Sequence, residues 1–200
     1  MARNRLTKPQ VPLTPANVNL LNRPEILLNW LRRLNHVFAD LSIDWYIQGS
    51  LAGYVHGIVN RSVTDIDIRA HCKIEDLFDA LPSDLACGAI MRGPVVYSKG
   101  EFQDSCIMLE MSDADTHVDI TTEIRTYRQD LSMTFEIPFD SRASVRPIFP
   151  EASDEFPVCS IEYLIIYKLV HQRDRSERKN DLGEVCMLLA SLERTGKHNK

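Results

Sequence analysis

From Pro24 onward, apolar residues recur every three or four positions at Leu27, Leu28, Leu31, Leu34, Phe38 and Leu41, which predicts an amphipathic helix. Proline is tolerated in its first turn, where its missing N–H would have no intrahelical partner. The period then changes to two. Ile43, Trp45 and Ile47 alternate with Asp44, Tyr46 and Gln48, which predicts a strand running into Gly49-Ser50. A short helix is expected from Leu51 to His56, closed by Gly57, followed by a loop carrying Arg61. Val63 to Arg69 alternates strictly and predicts a second strand. Ile74 to Leu81 reads as a helix stopped by Pro82, and strands are expected around Val95 to Tyr97, Cys106 to Met111 and His117 to Thr121. Residues 126–158, with mixed polarity and several prolines, match no period. Two helices, about 160–172 and about 177–193, finish the chain. Residues 1–20, polar and broken by Pro9, Pro12 and Pro15, read as an extended tail or strap.

This order of elements predicts an α+β protein, and 200 residues with 44% apolar and 26% charged composition suit one globular domain with a real core. The apolar run Tyr163 to Tyr167 ends at Lys168, far short of the ~20 residues a membrane-spanning helix needs. The first residues carry positive charge but no hydrophobic stretch after it, so no signal peptide is expected. Five cysteines at 72, 87, 106, 159 and 186 include no Cys-x-x-Cys pair and read as thiols in a reducing, cytoplasmic setting. Charge is uneven. Residues 1–24 carry +4, residues 170–200 carry +2, and residues 25–169 carry −11. An acidic middle argues against a broad nucleic-acid-coating face and is compatible with a cation site.

Four features bear on chemistry. Gly49-Ser50, at the turn from a strand into a helix, allows close backbone approach to a phosphate, although such a turn alone is more often a plain loop. Asp65 and Asp67 lie two apart on a strand, so both point to one face while Ile66 and Ile68 point to the other. Paired carboxylates repel unless a cation lies between them, and an oxygen-only pair suits Mg²⁺ or Mn²⁺; the competing reading is the solvated face of a half-buried strand. Asp119, between Val118 and Ile120, would join them from a neighbouring strand, giving three carboxylates able to hold two divalent ions. Lys168 lies on a stripe formed by positions 161, 164, 165, 168, 169 and 172, where a buried ammonium needs an anion. Either a carboxylate of the acidic middle or a bound phosphate would serve, and the phosphate is favoured. His117 faces the Asp119 side. The other histidines considered (36, 56, 71 and 171) have no partners at metal-ligand spacing, and Asp113-Ala114-Asp115 lacks the glycine and glutamate of a calcium loop.

The ordered set Tyr46-Ile47-Gln48-Gly49-Ser50, Arg61 to Ile68 with Asp65 and Asp67, and Val118-Asp119-Ile120 resembles the DNA polymerase β-like nucleotidyltransferase superfamily. Its spacing is similar to the small minimal enzymes, among them antibiotic nucleotidyltransferases and AbiEii/MenT-like toxins. The segment Tyr167-Lys168-Leu169 through Lys179 and Asp181 is similar to the lysine helix and Lys-Asp element of the latter. The resemblance implies a small mixed β-sheet backed by helices over residues 21–158, with 159–195 as the C-terminal helical part of the same domain closing the cleft. It further implies that Asp65, Asp67 and Asp119 bind Mg²⁺ and that Gly49 and Ser50 hold the β and γ phosphates of a nucleoside triphosphate. Lys168, with Arg61, Lys179 and Asp181, would complete the nucleotide site. The activity implied is transfer of a nucleoside monophosphate to a hydroxyl acceptor with release of pyrophosphate. The acceptor stays open among an RNA end, a protein and a small molecule. A basic N-terminal strap and Arg173 to Lys179 could steer an RNA end, whereas the acidic middle suits a cationic small molecule. A metal-dependent nuclease and a catalytically silent binding or regulatory member of the fold are the alternatives.

Overall fold

Leu27, Trp30, Leu31, Leu34, Val37 and Phe38 fall on one stripe and are all buried, which is why Pro24–Asp40 forms the first helix, α1, with its proline in the first turn. The computed structural model describes residues 19–59, 62–73, 76–77, 90–99, 104–112, 116–128, 133–150, 152–170 and 183–193. In chain order the strands are β1 (Trp45–Gln48), β2 (Asp65–Ala70), β3 (Ile90–Lys99), β4 (Asp104–Ser112), β5 (His117–Arg128), β6 (Met133–Glu136), β7 (Ser144–Pro147) and β8 (Glu155–Val158). Besides α1 there are a short helix after β1, α2 (Gly49–Val55), a helix after β8, α3 (Ile161–Val170), and a final helical stretch at 183–193.

The strands make one mixed eight-stranded sheet in the order β3-β4-β5-β2-β1-β8-β7. β6 pairs with the far end of β5, on the edge that β2 occupies nearer its start. β2 runs antiparallel to β1 and parallel to β5, while β1 runs parallel to β8. The α+β class is as expected, with more strands than the sequence announced. β6, β7 and β8 fall within 126–158, where short strands, Pro147 and Pro157 hide any period.

Strand alternation divides the sheet into two faces. Ile47, Ile66, Ile68, Val118 and Ile120 lie on one face, and all are fully buried. Trp45, on the same face, stacks on Phe38 at a ring separation of 5.1 Å, so α1 covers this side. The opposite face carries Tyr46, Gln48, Asp65, Asp67, Arg69, His117, Asp119 and Thr121. Here Tyr163 of α3 packs edge-on against Tyr46 at 5.3 Å. With that cover β1 is buried on both faces, Tyr46 and Gln48 being as enclosed as their apolar neighbours.

α2 begins at Gly49, earlier than the hydrophobic pattern indicates, and Gly57 closes it at a positive φ of 71°. The predicted helix over 74–81 is described only at 76–77, which are helical, and the start of the last predicted helix lies outside the described residues, as do residues 1–18. On α3 Leu164, Ile165 and Lys168 of the expected stripe are buried and Tyr163 and Tyr167 are buried beside them, whereas Leu169 is about half exposed. No described helix is long and apolar enough to cross a membrane.

Candidate active site

Parallel pairing of β2 with β5 sets Asp65 opposite His117 and Asp67 opposite Asp119. Two strands far apart in sequence thus bring three carboxylates to one sheet face, each partly exposed. Gln48 is the register partner of Asp67 on β1, and Glu110 is the register partner of Asp119 on β4. A cross-strand row therefore runs Gln48, Asp67, Asp119, Glu110. Glu110 was not singled out in the sequence because Cys106 to Met111 reads simply as a strand; only the pairing brings it to this row.

Gly49 has a φ of +67°, in the left-handed region that favours glycine. A Cβ built there would meet the Asp67 carboxyl carbon at 2.7 Å and its Cβ at 3.0 Å, with Oδ2 closer still. Glycine is required on both counts, backbone conformation and space. The next residue, Ser50, is buried, and its Oγ donates to Asp65 Oδ1 across a long 3.4 Å. The Gly-Ser turn thus touches both members of the Asp-x-Asp pair.

On β5, His117 Nε2 lies 2.7 Å from Asp119 Oδ1, with both side chains about three-quarters enclosed. Lys168 is buried, as expected, but its partner is Glu184 of the final helical stretch, with Nζ to Oε2 at 2.6 Å. That carboxylate lies outside the acidic middle, so the protein partner is not the one expected. The pair clamps the last helix to α3, a contact that periodicity alone could not assign. Arg61, Lys179 and Asp181 lie outside the described residues.

Sequence reasoning missed a buried polar network beside the carboxylates. Tyr163 donates its hydroxyl to Gln48 Oε1 at 3.2 Å, and the Tyr46 hydroxyl accepts from the Asp140 amide at 3.1 Å. Asp140 in turn accepts from the Ser160 amide at 2.6 Å, while Ser160 Oγ caps α3 by accepting from the Tyr163 amide at 3.1 Å. Serine directly before an apolar run was the available sequence signal; the role of Asp140 left none. Burial pushes the Tyr46 hydroxyl up to about 12 and that of Tyr163 higher, against the opposing influence of the Arg69 charge. Burial also raises the Cys72 thiol to about 11, with the Asp76 charge adding to it, and raises that of Cys159 further. These hydroxyls and thiols stay protonated at neutral pH, so none of them is a ready nucleophile.

Carboxylate oxygens are the hard donors that Mg²⁺ or Mn²⁺ prefers, and the in-register placement of Asp67 and Asp119 with Asp65 suits such an ion. As they stand, Asp119 is turned to His117, Asp65 meets Ser50, and Asp67 lies against Gly49. Among the described residues no group of three or more His, Cys, Asp or Glu side chains is gathered at metal-binding distance. Donor chemistry and backbone register fit a divalent cation; convergence of the side chains requires Asp119 to leave His117.

No protein-family model matches the chain, and no curated protein matches it. Solved structures of nucleotidyltransferases do resemble it. A candidate nucleotidyltransferase (TM1012) from Thermotoga maritima superposes with a TM-score of 0.48 at 23% identity, over 89% of this chain and 96% of its own. The lincosamide antibiotic adenylyltransferase LnuA, solved with lincomycin bound, gives 0.47 at 14% identity, over 82% of this chain and 96% of its own. ANT(2'')-Ia, solved in complex with adenylyl-2''-tobramycin, gives 0.48 at 15%, over 84% and 90% respectively. At such identities and TM-scores the chemistry of this chain's own residues has to carry the functional reading.

Proposed function

We propose that the protein is a Mg²⁺-dependent nucleotidyltransferase that moves a nucleoside monophosphate from a nucleoside triphosphate to a hydroxyl acceptor, releasing pyrophosphate; Mn²⁺ would serve the same donors. One observation carries the reading. Asp67 and Asp119 stand in register on parallel neighbouring strands, with Asp65 at the adjoining same-face position and the Gly49-Ser50 turn packed against the pair. A merely solvated acidic strand has no need of a left-handed glycine pressed against its carboxylate.

Asp65, Asp67 and Asp119 would hold the divalent ion, which supplies neutralisation of the triphosphate charge and of the developing charge on the leaving pyrophosphate. Gly49 lets the backbone come close to the β and γ phosphates, and Ser50 offers its hydroxyl to them in exchange for Asp65. The acceptor oxygen bonds to the α-phosphorus as the bond to pyrophosphate breaks in line, and Asp119 receives the acceptor's proton. His117, 2.7 Å from Asp119, holds that carboxylate in the absence of ligand. Arg61, Lys179 and Asp181 complete the nucleotide site in this reading by resemblance. Lys168 joins it only by exchanging Glu184 for phosphate. Catalysis in such a site is positioning and charge stabilisation.

The test is pyrophosphate release from each of the four ribonucleoside triphosphates with Mg²⁺, comparing wild type with Asp67→Asn. Release by wild type and its loss in a folded Asp67→Asn chain is expected. Equal release by both would sink the carboxylate assignment, and cleavage of nucleic acid without pyrophosphate release would favour a nuclease.

A further inference from the structure

Arg69 lies on β2 two residues beyond Asp67 and, by strand alternation, on the same sheet face. It is 3% exposed, and its Nη2 donates to the Ile137 carbonyl at 3.0 Å. Nε and Nη1 meet no acceptor among the described residues. A guanidinium keeps its charge at physiological pH, and every one of its N–H groups is a donor. Enclosing such a cation with donors unused is strongly unfavourable, so its retention calls for an anion.

Among the described residues no carboxylate pairs with Arg69: Asp140, in the neighbouring segment, is engaged by the Arg142 and Ser160 amides. The register partners of Arg69 are Tyr46 on β1 and Thr121 on β5, both buried hydroxyl residues. The Tyr46 and Tyr163 hydroxyls, which feel the Arg69 charge, are held neutral by burial. A row of Tyr46, Arg69 and Thr121 therefore adjoins the row of Gln48, Asp67 and Asp119 and reverses its charge.

Direction follows from the same strand. Ser50 contacts Asp65 and Gly49 contacts Asp67, so the phosphate-binding turn lies toward the start of β2 and Arg69 toward its end. In-line displacement brings the nucleophile from the side opposite the departing pyrophosphate. We infer that Arg69 is the receptor for an anionic group, a phosphate or a carboxylate, carried by a small acceptor molecule beside the hydroxyl that is modified. The acceptor-side assignment rests on the nucleotidyl-transfer reading; the anion site itself does not. A small molecule is favoured over a polymer because the guanidinium is almost wholly enclosed and bonds to the Ile137 carbonyl, two residues from Phe139, whose ring lies 4.7 Å from those of both Tyr46 and His71. A single anionic group can enter by displacing the Ile137 carbonyl. A nucleic-acid backbone cannot follow it there, and the −11 charge of residues 25–169 opposes a polyanion.

The experiment is thermal unfolding of wild type and Arg69→Met, titrated with inorganic phosphate, with acetate and, separately, with Mg²⁺ and a nucleoside triphosphate. Phosphate or acetate is expected to raise the wild-type midpoint saturably and to leave Arg69→Met unmoved. Without added anion, Arg69→Met is expected to melt no lower than wild type, because an uncompensated buried charge has been removed. An equal phosphate response in both proteins, or no response to either anion in wild type, overturns the proposal. If Arg69→Met does not fold, Arg69→Lys decides: phosphate binding weakened at least tenfold supports the receptor, and unchanged binding overturns it. Retention of the triphosphate shift in Arg69→Met with loss of the phosphate shift supports the acceptor side, whereas loss of both assigns Arg69 to the triphosphate and overturns that side. If wild type does not respond to triphosphate, the transferase reading fails while the phosphate and acetate titrations still judge the anion site. Displacement of phosphate by a short single-stranded oligoribonucleotide would overturn the small-molecule assignment.

Discussion

Gly49→Ala tests whether the Gly-Ser turn and the Asp-x-Asp pair form one unit. The added methyl would stand 2.7 Å from the Asp67 carboxyl carbon, and ordinary contact begins at 3.4 Å, so that carbon must retreat by about 0.7 Å. The backbone adds its own penalty, since a φ of +67° costs an alanine roughly 1–2 kcal/mol relative to glycine. A shift approaching 1 Å at a reacting centre lowers rates by about a hundredfold. Gly57 supplies the control: its φ is +71°, yet a Cβ there meets nothing within 4 Å. Gly57→Ala is therefore expected to lose a similar 1–2 kcal/mol and keep its activity. The assay pairs thermal unfolding with the rate of Mg²⁺-dependent pyrophosphate release for wild type and both variants. A larger destabilisation in Gly49→Ala than in Gly57→Ala, with activity lost only in Gly49→Ala, is expected. If Gly49→Ala releases pyrophosphate at the wild-type rate, or Gly57→Ala loses as much activity, the contact between turn and carboxylate has no functional part.

Two further outcomes follow from buried charges. Glu184→Leu removes the carboxylate 2.6 Å from the buried Lys168 ammonium, which should cost about 3–5 kcal/mol and lower the unfolding midpoint by on the order of 10 °C, while Lys168→Met/Glu184→Leu together should restore most of it. A triphosphate affinity unchanged in the double variant would confine Lys168 to its structural pairing with Glu184. His56, whose Nε2 donates to the Cys159 carbonyl at 2.7 Å, has its pKa held below the ordinary histidine value chiefly by burial. The unfolded chain then binds the proton more readily, so stability from this group is full above about pH 6.5 and is lost as pH falls through the lower folded value. His56→Gln should flatten that acid limb in unfolding experiments at stepped pH; an unaltered limb would show that another group causes it.

How far the sequence reached depends on whether a feature is local. Alternation placed Asp65 and Asp67 on one face, and Val118-Asp119-Ile120 repeated the pattern, so the three carboxylates were legible once β2 and β5 were taken as neighbours. The Gly49-Ser50 turn was legible too, but not the reason for its glycine, which is a side chain eighteen positions further on. Lys168 was correctly set on a buried face, yet its partner lies on another helix, and no local period carries that information. Tyr163 meets Gln48, and Asp140 meets Tyr46 and Ser160, only through tertiary packing, and Arg69 ended a strand as one more polar residue at an alternating position. Residues 126–158 concealed three short strands for the same reason: β7 is exposed along its length, and β8, with Pro157 inside it, gains its place by pairing with β1 and β7.

In the proposed reading Asp65, Asp67 and Asp119, with Gly49-Ser50, form a cation-dependent triphosphate site. Its decisive test is thermal unfolding with each ribonucleoside triphosphate, with and without Mg²⁺, on wild type and Asp65→Asn/Asp67→Asn. A ligand at a hundred times its dissociation constant adds about 2.7 kcal/mol. The site as described requires a shift of that order in wild type that needs Mg²⁺ and disappears in the double variant. A shift that persists in the variant, or no shift with any triphosphate, would contradict it.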